Sequence, residues 1–229
     1  MALIKLTAFL DNISGKLNGT VFAQNRGGHY VRSKSNPTNP RSDAQMNVRG
    51  MFGMIAALWR GLTEGQRDGW NAVAQDFPYQ NRLGETKILS GFALHQKLNQ
   101  NLALINESPI TNAPQPIQVI SIGAPALNVS IASDLPVTTV MTPGAGDAKF
   151  LIYATPPLSN GVKNFQNRLR LIAVATQADV ASGFKTLQAY SATFGIPAPT
   201  QKIGVAIRAV MEDTGQVSVM RSASFVLTA

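Results

Sequence analysis

Between Val48 and Leu62 the apolar residues Val48, Met51, Phe52, Ile55, Leu58, Trp59 and Leu62 recur every three or four positions. That spacing predicts an amphipathic helix with one broad apolar face. Ser42 with Gln45 reads as a capping box at its start, and Gly61 marks its end. Thr63 with Gln66 gives a second capping box at once, and Trp70, Val73, Ala74 and Phe77 supply the next helix with an apolar face until Pro78 stops it. These two helices, AQMNVRGMFGMIAALWRGLTEGQRDGWNAVAQDF (44–77), form a hub whose expected core is Phe52, Trp59, Trp70 and Phe77. After a loop or short strand pair at 79–89, Ser90 caps a third helix with the stripe Phe92, Leu94, Leu98, Leu102 and Ile105.

Ahead of the hub the pattern changes. Residues 13–34 read as a β-hairpin with strands from Leu17 to Gln24 and from His29 to Lys34, joined by a turn over Asn25-Arg26-Gly27-Gly28. Residues 35–43, SNPTNPRSD, contain Asn-Pro twice and are expected to run extended. Beyond the hub, ESPITNAPQP (107–116) has three prolines and no apolar period, which marks a linker. Short β runs follow near 117–122, 127–132, 137–141, 148–154, 168–175, 202–211 and 217–227. Alternation is clearest where Ile203, Val205, Ile207 and Ala209 point one way and Arg208 the other, with a turn at Glu212-Asp213-Thr214-Gly215. Residues 183–195 fit a short helix or a strand. The expected fold is α+β: a β-hairpin arm and extended linker (1–43), a three-helix hub (44–106), a linker (107–116), and an immunoglobulin- or fibronectin-like β-sandwich (117–229).

Composition narrows the class. At 229 residues, 45% hydrophobic and 14% charged, the chain is globular and long enough to bury a core. No apolar run approaches the ~20 residues of a membrane span. MALIKLTAFLDNIS, with one lysine and an apolar patch broken by Asp11 and Asn12, is too short in its apolar core for a secretory signal, and none is expected. With no cysteine, disulfides, thiolate metal sites and cysteine nucleophiles are excluded, which fits synthesis in a reducing cytoplasm.

The net charge of +8 is uneven: residues 1–60 hold eight basic and two acidic side chains. A basic arm points to nucleic acid or an acidic protein surface, or to a solvated arm kept soluble by its charge. Lys16, Arg26, Tyr30, Arg32, Lys34, Arg41 and Arg49 are therefore the candidates for subunit or nucleic-acid contact. The hairpin pairing with a neighbouring subunit is favoured, because an isolated hairpin is marginally stable. A phosphate cradle at Arg26-Gly27-Gly28 is not expected, since no strand–GxxxxGK[ST]–helix order surrounds it. A DNA-reading helix–turn–helix is disfavoured by Glu64, Asp68 and Asp76 beside Arg67 on the second helix. The two histidines, His29 and His95, have no carboxylate cluster beside them, so no metal or cofactor is expected. The acids of the β region, Asp134, Asp147, Asp179, Glu212 and Asp213, stand mostly where turns are expected, and no nucleophile–base pair emerges.

Five runs carry a resemblance: GKLNGTVFAQNRGGHYVRSKSNPTNPRSDAQ, WRGLTEGQRDGWNAVA, NRLGETKILSGFALHQKLNQNL, YATPPLSNGVKNFQNRLRLIAV and FGIPAPTQKIGVAIRAV. Together, over most of the chain, they resemble a family of poorly characterised proteins encoded by tailed bacteriophages and prophages. The resemblance implies a non-enzymatic structural protein of the virion, in head, neck or tail, assembled in the host cytoplasm with copies of itself and other virion proteins. It brings no catalytic residues with it. The alternative is a nucleic-acid-binding protein that uses the basic arm.

Overall fold

The computed structural model describes residues 2–4, 13–35, 38–81, 83–127, 136–138, 141–142 and 146–228. The chain is mixed α+β and forms two compact units, Met1–Leu94 and His95–Ala229. Of the expected strands, most of 127–132 and the middle of 137–141 lie outside the described residues.

In the first unit, β1 (Ala2–Leu3), β2 (Gly15–Leu17), β3 (Thr20–Asn25) and β4 (Gly28–Ser33) make a four-stranded antiparallel ribbon in the order β1-β4-β3-β2. The expected turn is found, with Asn25 opposite Gly28. The expected first strand, however, is interrupted. Leu17 pairs with Thr20 across Asn18-Gly19, and Asn18 sits at φ 49°. Asparagine tolerates that left-handed conformation, so a second hairpin forms where one strand was expected.

Helix α1 (Asp43–Gly61) ends where Gly61 was expected to end it. Its N-cap residue Ser42 makes no side-chain bond, in contrast to the capping box read from Ser42 and Gln45; the turn is closed by Met46 N–H donating to the Ser42 carbonyl at 2.9 Å. Helix α2 (Glu64–Val73) has the full box: Gln66 N–H donates to Thr63 Oγ1, and Thr63 N–H donates to Gln66 Oε1. A 3-10 turn over Ala74–Asp76 ends it. The following β5 (Pro78–Gln80) and β6 (Thr86–Ile88) form the short strand pair. Helix α3 (Gly91–Leu104) is capped by Ser90, whose Oγ accepts from Ala93 N–H at 3.2 Å. The division between units falls inside this helix.

The second unit is built on an antiparallel sheet of β11 (Ala148–Ala154), β12 (Arg170–Thr176), β14 (Lys202–Met211) and β15 (Arg221–Val226), ordered β12-β11-β14-β15. Four short strands precede it in sequence, β7 (Ser121–Ile122), β8 (Ala126–Leu127), β9 (Pro136–Thr138) and β10 (Met141–Thr142), and β13 (Phe184–Lys185) lies between β12 and β14. They pair as β10-β7 and β13-β9-β8. Two helices stand between β12 and β14: α4 (Gln177–Ser182), which was not expected, and α5 (Leu187–Phe194), which falls in the segment left open between helix and strand. The ambiguous 183–195 segment is thus strand first and helix second.

Period two on the central strands fills both sides of the sheet. Phe150, Ile152, Ile203, Val205, Ile207 and Ala209 enter a core that Ile120, Ile122, Val180 and Tyr190 complete. Leu151 and Val210 face the other way and pack with Leu102 and Ile105 of α3. Residues 107–116, expected as a linker, are fastened within this unit. Asn99 donates to the Ile110 carbonyl and accepts from Ile110 N–H at 2.7 Å, while Gln216 donates to the Gln115 carbonyl at 2.7 Å and accepts from Ile117 N–H. Lys149 adds an ion pair with Glu107. Gly204 lies under the Phe165 ring, where an added Cβ would come within 2.3 Å of it.

Candidate functional site

Helix α1 is the feature that needs a function. Its 19 residues carry only three charges, Asp43, Arg49 and Arg60. A helix apolar on most of its circumference is normally buried. Here Ile55 is the one fully buried side chain, and Trp59 and Leu62 extend the covered side in the C-terminal half. The N-terminal half is open: Met46 is 49% exposed, Val48 62%, Phe52 47% and Met54 52%. Gly50 and Gly53 on the same helix have no atom within 4 Å of where a Cβ would stand. Val48 and Phe52, four residues apart, share the side of the apolar stripe, whereas Met46 and Met54 lie elsewhere around the helix.

The hub behind it is rigidly built. Trp70 is fully buried, and Trp59 meets the Phe92 ring edge-on with centroids 5.6 Å apart. An added Cβ on Gly91 would lie 2.7 Å from Asn71 N and 2.8 Å from Trp70 C, so α2 and α3 touch main chain to main chain. Asn71 Oδ1 accepts from Gly91 N–H at that point. Of the expected hub core, Trp70 is interior, Trp59 and Phe77 are half-buried, and Phe52 lies largely open in the surface patch. The apolar period assigned Phe52 to the right face of the helix, but only about half of the residue is covered there.

Arg67, weighed as a base-reading side chain, has a different use. Its guanidinium donates to the Trp59 carbonyl at 3.4 Å and the Arg60 carbonyl at 2.7 Å. It thereby satisfies carbonyls left open at the C-terminus of α1 and places a cation at the negative end of the helix dipole. No sequence signal announced this, because the partners are backbone atoms across a turn. Arg49 donates to Asn39 Oδ1 at 2.9 Å and ties the segment before α1 to the helix. Arg41 in that segment takes a φ of 51°, so the extended course expected over 35–43 is broken there.

The remaining candidates lie on or after the ribbon. Lys16, Arg26, Arg32, Lys34 and Arg41 are all exposed, and Tyr30 is half-buried. The register Lys16↔Val21↔Arg32 brings Lys16 and Arg32 onto one face; Arg26 occupies the β3–β4 turn.

Among the described residues no group of three histidine or acidic side chains is placed to hold a metal ion. His95 is buried in the second unit, where loss of solvation lowers its pKa from the ordinary value. Tyr190 is buried beside Phe194, and burial pushes its phenol up to about 12. Asp147 and Glu212 line one open cleft of about 550 Å³ together with Thr176 and Gln177. Thr176 is already committed: its hydroxyl donates to Asp179 at 2.7 Å as part of the α4 capping box, which also holds the Asp179 carboxyl below its usual range. The cleft has no histidine among its lining residues and presents no nucleophile–base pair. Comparison with family models, curated proteins and solved structures found no match.

Proposed function

We propose that this chain is a non-enzymatic structural component of a bacteriophage virion that assembles with copies of itself. The observation that carries the self-assembly is the exposure of Val48 and Phe52, 62% and 47%, one turn apart on the apolar stripe of a helix with one charge, Arg49, between Ala44 and Trp59. An uncovered surface of that composition favours burial against protein by the hydrophobic effect. In this reading the antiparallel ribbon serves as the arm that pairs with a neighbouring copy. The virion assignment rests on the resemblance over most of the chain.

The finer architecture belongs to the same proposal. In it the second unit varies an immunoglobulin- or fibronectin-like sandwich, with the short strands β7, β9 and β13 as the layer opposite the four-stranded sheet. Its support is that Ile122 of β7 and Phe184 of β13 pack on the same core as β11 and β14. An experimental structure lacking any second strand layer across that core removes it.

Assembly is tested by sedimentation of the full chain. The expected result is a discrete oligomer whose mass is a multiple of 24.4 kDa. A monomer at every accessible concentration overturns self-assembly, and absence of the protein from the mass spectrum of purified particles overturns the virion role.

A further inference from the structure

We infer that the N-terminal ribbon binds the sugar–phosphate backbone of nucleic acid through one face. Residues 13–42 contain five cations, Lys16, Arg26, Arg32, Lys34 and Arg41, and no carboxylate. Strand register sorts them. Because Val21 pairs with Lys16 on one side and Arg32 on the other, the two cations flank it on a single face. Two interstrand spacings put them roughly 9.6 Å apart at the backbone. Residues two apart share a face, so Tyr30 joins Arg32 there. Arg26 extends the charge at one end of the β3–β4 hairpin and Lys34 at the other. The opposite face pairs Phe22 with Val31 between the polar pairs Thr20–Ser33 and Gln24–His29, and has no lysine or arginine among these pairs. The ribbon therefore carries Lys16 and Arg32 on one side only, and that side is the one suited to a polyanion.

Nucleic acid fits this face better than an acidic protein does. A protein-contact core needs large apolar or aromatic side chains at its centre. On this face Val21 is buried and Ala23 and Tyr30 are half-buried, so the exposed side chains are the cations Lys16 and Arg32 and the neutral Asn25. Phosphate contacts, by contrast, are made by Lys and Arg together with neutral Ser, Thr, Asn and Tyr groups and need no apolar centre. The inference is independent of self-assembly, since a monomer could show it.

The test is fluorescence anisotropy of a labelled DNA duplex of random sequence with the full chain, between about 50 and 200 mM salt. Binding is expected to weaken with salt on a log–log slope of up to about −4.5 for five phosphate contacts. Changing Lys16→Gln and Arg32→Gln together is expected to reduce the slope by about two and to weaken binding at every salt concentration. The control pair Lys163→Gln and Arg168→Gln removes the same charge from exposed positions of the second unit and is expected to leave the slope unchanged. Far-ultraviolet circular dichroism verifies that each variant is folded. No binding at the lowest salt overturns the inference, as does equal loss in the two double variants. Tighter binding of poly-glutamate than of the duplex assigns the face to acidic protein and overturns it too.

Discussion

Truncating Phe52 separates two accounts of the apolar patch on α1. Phe52 is 47% exposed, so about 95 Å² of a side chain of roughly 200 Å² stays in water. Covering that area at ~25 cal/mol per Å² is worth about 2.4 kcal/mol for each copy. Phe52→Ala is therefore expected to weaken self-association roughly 60-fold where one phenylalanine is lost per contact. Where a two-fold axis brings in both, the loss exceeds about three orders of magnitude. Ile55, one turn along and fully buried, provides the contrast. Ile55→Ala opens a cavity in the chain's own core and is expected to cost about 2–5 kcal/mol of folding stability. Phe52→Ala is expected to cost the monomer less than about 1.5 kcal/mol. Sedimentation equilibrium over a wide concentration range gives the association constants, and urea unfolding gives the stabilities. The reasoning fails if Phe52→Ala unfolds as readily as Ile55→Ala while association stays at the parent value, because Phe52 then belongs to the interior of its own chain.

Two further changes probe the second unit. Gly215 holds φ 67°, and an added Cβ would stand 2.3 Å from the Leu98 carbonyl oxygen, a main-chain atom that cannot rotate away. Gly215→Ala is expected to lose at least about 2 kcal/mol in thermal or urea unfolding, and a loss below about 0.5 kcal/mol refutes the close approach of the turn to α3. Burial lowers the His95 pKa from 6.5, so below that pH the unfolded chain binds more protons than the folded one. His95's contribution to stability is therefore fully present above pH 6.5 and is lost as pH falls, at a limiting slope of about 1.4 kcal/mol per pH unit. Urea midpoints from neutral pH to about pH 5 are expected to fall more steeply for the parent than for His95→Gln, and parallel curves count against a buried neutral imidazole.

Features closed by local bonds were legible in the sequence. Thr63 and Gln66 announced the start of α2 because both partners of the capping box lie within one turn. The central strands were equally plain, since Ile203, Val205, Ile207 and Ala209 all enter one core. The same lettering at Ser42 and Gln45 yields no side-chain cap, so the motif marks the helix start without guaranteeing the bond. Helices α4 and α5, of 6 and 8 residues, are too short for an apolar period to emerge. Only Thr176 with Asp179, a capping box in the α4 sequence itself, could have given the first of them away. The fastening of residues 107–116 was hidden for another reason. Asn99 and Gln216 hold that segment through bonds spanning 11 and 101 positions, and composition carries no trace of such distances.

The apolar stripe of α1 shows where pattern reading stops. Periodicity identifies the face that must leave water, but it does not say whose atoms will cover it. In this helix one continuous stripe has two fates: around Ile55 and Leu62 it is covered, and around Val48 and Phe52 it is open. Had the whole stripe served the interior, residues 44–54 would be expected to be as closed as residues 55–62. Had it served only solubility, charged residues would be expected there, yet Arg49 is the sole charge from Ala44 to Trp59. The composition is that of an interior helix and the exposure that of a surface one. The proposed self-assembly, which buries these side chains against protein outside the chain's own fold, reconciles the two. In the proposed assembly Phe52 belongs to the contact core, whereas the register-sorted cations of the ribbon belong to the proposed nucleic-acid face.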